Sequence, residues 1–182
     1  MFNREHAIRF LLRRPGPTAS RAARWTVPVL AAAGAGFLVW SGVIHLELWA
    51  DGYRDISVIG PLFLVQGITT IVLAAVIVAL RWLVLLVAGA VAGIATAVGL
   101  LLSVHVGLFG FTESLSASYA ELSLAVEFTA AFLLLAGTVV LAVTRPADAA
   151  AWPARLWPPH WAGFGSASRS ARVLPRSRAG GR

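Results

Sequence analysis

The run VPVLAAAGAGFLVWSGVIHLELW, Val27–Trp49, decides the fold. It is longer than the ~20 residues an α-helix needs to cross about 30 Å of hydrocarbon, and its only titratable groups, His45 and Glu47, lie near one end. Three more apolar runs follow at Val58–Leu80, Leu83–Val104 and Tyr119–Val143. The segments between them are too short for a separate soluble domain. Of the 182 residues 58% are hydrophobic and only 13% charged, about half the charged share usual in soluble domains, and the mean hydropathy is +0.79. The sequence therefore predicts an all-α membrane protein: a four-transmembrane-helix up-down bundle over residues 26–144. A basic arm precedes it over residues 1–25, and an Arg/Pro/Trp-rich tail, mostly disordered by composition, follows over 145–182. Residues 1–25 are basic and only partly apolar, so a cleavable leader is not expected.

All fifteen basic residues are arginine, and their placement predicts the topology. Six precede the first run, Arg81 sits between the second and third, and seven follow the fourth; with Glu5 and Asp148 this side carries a net +12. The other side sets Arg54 against Glu47, Asp51, Asp55, Glu113, Glu121 and Glu127, a net −5. The positive-inside rule places both termini on the cytoplasmic side of a plasma membrane. The pI of 11.6 then reads as affinity for anionic lipid at the inner face, about 1 kcal/mol per Arg near the surface. Nucleic acid is not an expected partner, because neither basic segment shows a nucleic-acid-binding motif. In the arm, Ala7–Leu12 can form one or two amphipathic turns before Pro15. In the tail, Trp152–Trp161 is expected on the membrane surface, or as a docking peptide for a partner.

Helix starts carry local signals. Ser57 is a candidate cap before Pro61, and Ser118-Tyr-Ala-Glu121 reads as a capping box, with Glu121 bonding back to the Ser118 amide. Trp25 and Trp82 mark one interface and Trp49, Tyr53 and Tyr119 the other.

Helical spacing separates buried polar groups from wet ones. Gly34, Leu38, Ser41, Gly42 and His45 form a small-residue stripe, which lets a helix approach its neighbours closely. His45 is therefore expected inside the bundle, whereas Glu47, roughly 200° around the helix from it, points out. Gly89, Gly93, Thr96, Gly99 and Ser103 make a second stripe, read as close packing, with His105 on the opposite side. Ser123, Glu127, Ala131 and Leu134 share a face of the fourth run, and Gln66 shares one with Thr70 and Leu73 of the second. Gln66 and Glu127 each lie ~12 Å, and His45 ~6 Å, below the same ends of their helices. The candidate intramembrane polar site is thus His45, Gln66, Ser103 and Glu127, with Glu47, Arg54, His105 and Glu113 as secondary candidates at the outer face. A carboxyl at such depth costs several kcal/mol unless it is paired, hydrated or used, and His45 or Gln66 is the expected partner of Glu127. Three arrangements remain open: a hydrogen-bonded cluster that fixes helix register, a ligand, ion or proton site, and groups that never meet. Arg54 most simply pairs with Asp51, Asp55 or Glu113. His45-Leu-Glu-Leu-Trp49 and His105-Val-Gly-Leu-Phe109 also match over five residues, which suggests an internal repeat of two helical hairpins.

His45-Leu-Glu-Leu-Trp, Gly52-Tyr-Arg54, Ile59-Gly-Pro-Leu-Phe63, Gln66 and Gly107-Leu-Phe-Gly-Phe-Thr-Glu113 carry a resemblance to uncharacterised four-span integral membrane proteins of actinobacteria. It covers residues 27–143 and implies the architecture alone, for no established activity comes with it.

The chain has no cysteine, which excludes disulfides, thiolate ligands and CxxC redox chemistry. No P-loop, dinucleotide fingerprint or Ser-His-Asp set is present, and no metal or other cofactor is expected. Size and tail point first to a non-enzymatic accessory or assembly subunit of a membrane complex, with a membrane-protein partner or a second copy of the chain beside it. The alternative is a small binder or transporter of the outer leaflet using His45, Gln66 and Glu127. A haem held between His45 and His105, or a metal on His45, His105, Glu47 and Glu113, is the remote reading.

Overall fold

The computed structural model describes residues 4–12 and 21–144. A short helix α1, Arg4–Leu11, precedes four long ones: α2 Arg21–Ala50, α3 Ile59–Leu80, α4 Leu83–His105 and α5 Ala120–Val143. A single 3-10 turn, Tyr53–Asp55, lies between α2 and α3. All four long helices are long and apolar enough to cross a membrane, so the chain is a multi-pass, all-helical bundle. The tail expected over residues 145–182, including Trp152–Trp161, lies outside the described residues, as does Pro15.

Successive long helices run in opposite directions. The loops at 51–58 and 106–119 therefore share one end of the bundle, the loop end, and the Arg81-Trp82 link lies at the other. The helices follow the apolar runs closely because backbone groups in hydrocarbon must be satisfied within the segment. The largest departure is at the start of α2, where the helix begins at Arg21 rather than Val27 and passes through Pro28. Helix α2 is the hub: it packs along both α3 and α5, and α5 packs along α4. Helices α3 and α4 are consecutive yet barely touch. They diverge from a sharp link in which Arg81 takes a left-handed φ of 52° and its N–H bonds the Ile77 carbonyl at 2.9 Å.

Packing is tightest away from the loop end. Leu38, Ile77, Leu86 and Leu134 are fully buried and share one core with Val27, Ala31 and Leu141. Large apolar side chains such as Val65, Val72, Val91, Phe132 and Val139 face outward, as lipid-facing positions should. Small residues fix the crossings, as transmembrane helices require. At Gly42 an added Cβ would stand 2.8 Å from the carbonyl oxygen of Gly67, so α2 and α3 meet backbone to backbone one turn below His45. At Gly93 a Cβ would stand 2.8 Å from the Glu127 carbonyl oxygen, so α4 and α5 touch equally closely there.

Three local expectations are corrected. The helix starts are capped by backbone rather than side chains: Val58 (φ 68°) precedes α3 and Tyr119 (φ 66°) precedes α5, and neither start has a side-chain cap bond. Ser57 instead offers its carbonyl to the Ile59 N–H at 2.8 Å. Ser118 and Glu121 form no capping box, because the left-handed turn at Tyr119 takes the cap position and Glu121 is exposed in the first turn of α5. The matched pentapeptides do not share a conformation either. His45–Trp49 is helical throughout, whereas the helix ends at His105 and Gly107 and Phe109 take positive φ. Finally, the α4 stripe packs closely only at Gly89 and Gly93. A Cβ at Gly99 would meet nothing within 4 Å, because α3 and α4 have parted by that level.

Candidate functional site

The gap between α3 and α4 at the loop end is a cavity of about 280 Å³. Each long helix supplies part of its wall at helical spacing. His45 comes from α2, Phe63 and Gln66 from α3, Thr96, Gly99 and Ser103 from α4, and Ser123 and Glu127 from α5. Leu62 and Ala95 line the cavity and are also exposed on the outside of the bundle, so it reaches the lateral surface between α3 and α4. The loop 106–119 closes the end through Leu108, Phe111 and Glu113.

Glu127 is 1% exposed. Its Oε1 lies 3.5 Å from the Ser41 hydroxyl, a long hydrogen bond donated by Ser41, and 4.0 Å from His45 Nε2. Its Oε2 is buried without a hydrogen-bond partner, and so is Ser103 Oγ. Such orphans are rare, since leaving a buried polar group unsatisfied costs about 1–3 kcal/mol. His45 Nδ1 stands 2.8 Å from the Ser41 carbonyl oxygen. A carbonyl only accepts, so Nδ1 carries the proton, and in the neutral ring Nε2 is a bare acceptor turned toward Glu127. Nitrogen and carboxylate thus converge with no protein N–H between them.

The expected cluster of His45, Gln66, Ser103 and Glu127 meets at this cavity with one change of partner. Gln66 does not reach Glu127; its amide donates to the Thr96 hydroxyl, which in turn donates to the Ala92 carbonyl at 2.8 Å. That pair is the hydrogen-bonded bridge from α3 to α4. Spacing put Gln66 on the correct face but could not say which neighbouring helix would stand opposite.

Among the secondary candidates, Glu47 and His105 are exposed and off the cavity wall. Arg54 pairs with Asp55 at 3.7 Å, both side chains mostly in solvent, a contact of little energetic weight. The cavity wall carries one imidazole, so the paired-histidine haem arrangement is not assembled. Among the described residues no three His, Asp or Glu side chains gather as a metal site, which also sets aside the His45, His105, Glu47 and Glu113 set.

Glu113 is the secondary candidate that does belong. Its Oε2 accepts from the Tyr53 hydroxyl at 2.6 Å and its Oε1 from the Ser114 N–H at 2.9 Å. The Tyr53 ring stacks on Phe63 at 4.9 Å and meets Phe111 edge-on at 5.7 Å, while Phe63 lies 5.0 Å from the His45 ring. An aromatic chain thus runs from the loop to the polar floor. Burial raises the Tyr53 phenol above its ordinary range, and the neighbouring Glu113 carboxylate raises it further, so it stays a donor. The sequence marks Tyr53 only as an interface residue. The loop reaches its place through a tight turn in which Leu108 and Phe111 exchange backbone hydrogen bonds of 2.7 and 2.8 Å. The residues between them, Phe109 (φ 51°) and Gly110 (φ 80°), both have the positive φ of a type I′ turn.

Compared with known families, curated proteins and solved structures, the chain finds no match in any of the three. Its site must therefore be read from its own geometry.

Proposed function

We propose that this protein binds a small amphiphilic molecule in the cavity between α3 and α4, as the binding element of an outer-leaflet receptor or transporter. One observation carries the proposal: two oxygens, Glu127 Oε2 and Ser103 Oγ, are buried without a protein partner in residues that line the same cavity. A cluster whose only role was to fix helix register would satisfy its own members, since a half-satisfied polar network is worse than an apolar core. Concave, mostly apolar walls with a few convergent polar groups are the usual form of a small-molecule site. The accessory-subunit reading rests on chain size and on Trp152–Trp161, outside the described residues, so the cavity is the firmer ground.

The arginine asymmetry supports a plasma-membrane orientation with both termini in the cytoplasm. The loop end is then the outer face, and Glu127 lies in the outer half of the bilayer. Lipid is the constant partner, with anionic headgroups around the inner arginines.

Native mass spectrometry of the purified protein tests binding. The wild type should release a bound small molecule, and Gly99→Phe, whose ring would fill the cavity, should not. Equal loads on both proteins, or none on either, would count against the proposal.

A further inference from the structure

We infer that the occupant is a compact protonated amine, its N–H groups set among Glu127, His45 and Ser103. This rests on the binding role just proposed and names the class of molecule bound.

Charge comes first. Among the described residues lining the cavity there is no arginine, while two carboxyl groups, Glu127 and Glu113, contribute to its wall. An anionic headgroup, whether carboxylate or phosphate, would meet two carboxyl groups and no cationic side chain there. A cation meets those carboxyl groups with no competing positive charge.

Hydrogen bonding narrows the class. Because Nδ1 of His45 faces the Ser41 carbonyl, the neutral ring offers only the lone pair of Nε2 to the cavity. Glu127 Oε2 accepts, and Ser103 Oγ has no partner of its own. An ammonium nitrogen carries up to three N–H donors and no acceptor, the complement of this floor. A quaternary ammonium has the charge without the donors, and a neutral alcohol has one donor without the charge.

The remaining wall sets shape and size. Phe63 and Phe111 line the cavity, and a cation near an aromatic face gains further electrostatic attraction. Leu62, Leu100 and Leu108 supply apolar surface for the body of the molecule. A cavity of roughly 150 Å³ takes a benzene ring, so 280 Å³ suits an amine of about ten non-hydrogen atoms.

The test uses three probes that share a phenethyl group: phenethylamine, phenethyl alcohol and hydrocinnamate. Their binding to the full-length protein in lipid nanodiscs is measured by calorimetry against empty nanodiscs, for the wild type, Glu127→Gln and Gly99→Phe. Size-exclusion profiles and helical circular dichroism confirm that each variant is folded; Ser103→Ala serves as a second, milder floor variant. The amine should bind the wild type about tenfold or more tightly than the alcohol, as a charge-assisted hydrogen bond implies, and the acid should not bind. Glu127→Gln should bring amine and alcohol close to parity, Ser103→Ala should weaken the amine less, and Gly99→Phe should abolish binding of both. If the alcohol or the acid equals or exceeds the amine and Gly99→Phe still blocks it, the cavity binds but the ligand class is wrong. If no probe distinguishes the wild type from Gly99→Phe, this inference and the binding role both fall.

Discussion

Replacing Glu127 by glutamine keeps the side chain's size and exchanges one carboxylate oxygen for an N–H donor. In the native protein Oε2 is buried without a partner and Ser103 Oγ shares that condition, while His45 Nε2 lies 4.0 Å from Oε1. A glutamine amide can turn an N–H toward the bare His45 Nε2, and it removes an ionisable group from a depth where such groups are costly. Relief of one unsatisfied buried group is worth about 1–3 kcal/mol. For a chain of this size that corresponds to an apparent Tm higher by roughly 2–12 °C. The assay is thermal unfolding of ligand-free protein in one detergent, followed by tryptophan fluorescence. Stability should rise while amine binding falls, as when a site is kept at some cost to the fold. A lower Tm for Glu127→Gln would refute the reasoning, for the carboxyl would then be a satisfied structural group.

Three further outcomes follow from the same geometry. Gly99→Phe should leave the unfolding free energy within about 1 kcal/mol of the wild type, whereas Gly93→Ala, whose Cβ would stand 2.8 Å from the Glu127 carbonyl oxygen, should lose about 1–3 kcal/mol by overpacking; thermal unfolding of both checks the contrast. Tyr53→Phe should cost about 1 kcal/mol and speed amide exchange in residues 106–119. Because the Tyr53 phenol is raised in the fold, the folded protein holds that proton more tightly, so stability should fall as pH climbs past the ordinary phenol value of 10.0, and the variant should lose less over that range. In intact cells a membrane-impermeant thiol reagent should label Ser116→Cys and spare Arg81→Cys, on a native background free of cysteine; the reverse pattern would overturn the topology.

The bundle was legible because hydrocarbon imposes its own grammar: the apolar runs at Val58, Leu83 and Tyr119 map onto α3, α4 and α5 to within a residue at each end. Helical spacing also placed His45, Ser103 and Glu127 on inward faces, and each lines the cavity. Spacing fixes a face but not the distance to what lies opposite. The α4 stripe therefore looked uniform, although Gly93 is in backbone contact and Gly99 opens on space. The same blindness leaves His45 and Gln66 equal candidates for Glu127, although Gln66 pairs with Thr96. The loop end was less legible still. Tyr53, Phe111 and Glu113 come together through left-handed turns at Phe109 and Gly110, and no period in the sequence reports a turn of that kind.

Accessibility of the cavity floor is the most direct measure of the central claim. Ser103→Cys is nearly isosteric and lines the cavity, whereas Ala130 is fully buried in the core. In nanodiscs a small cationic methanethiosulfonate should modify Ser103→Cys faster than a neutral analogue does. Adding Gly99→Phe should suppress the reaction, adding Glu127→Gln should erase the charge preference, and Ala130→Cys should stay inert. A Ser103→Cys thiol as inert as Ala130→Cys, or one indifferent to Glu127, would contradict an acidic, open cavity between α3 and α4.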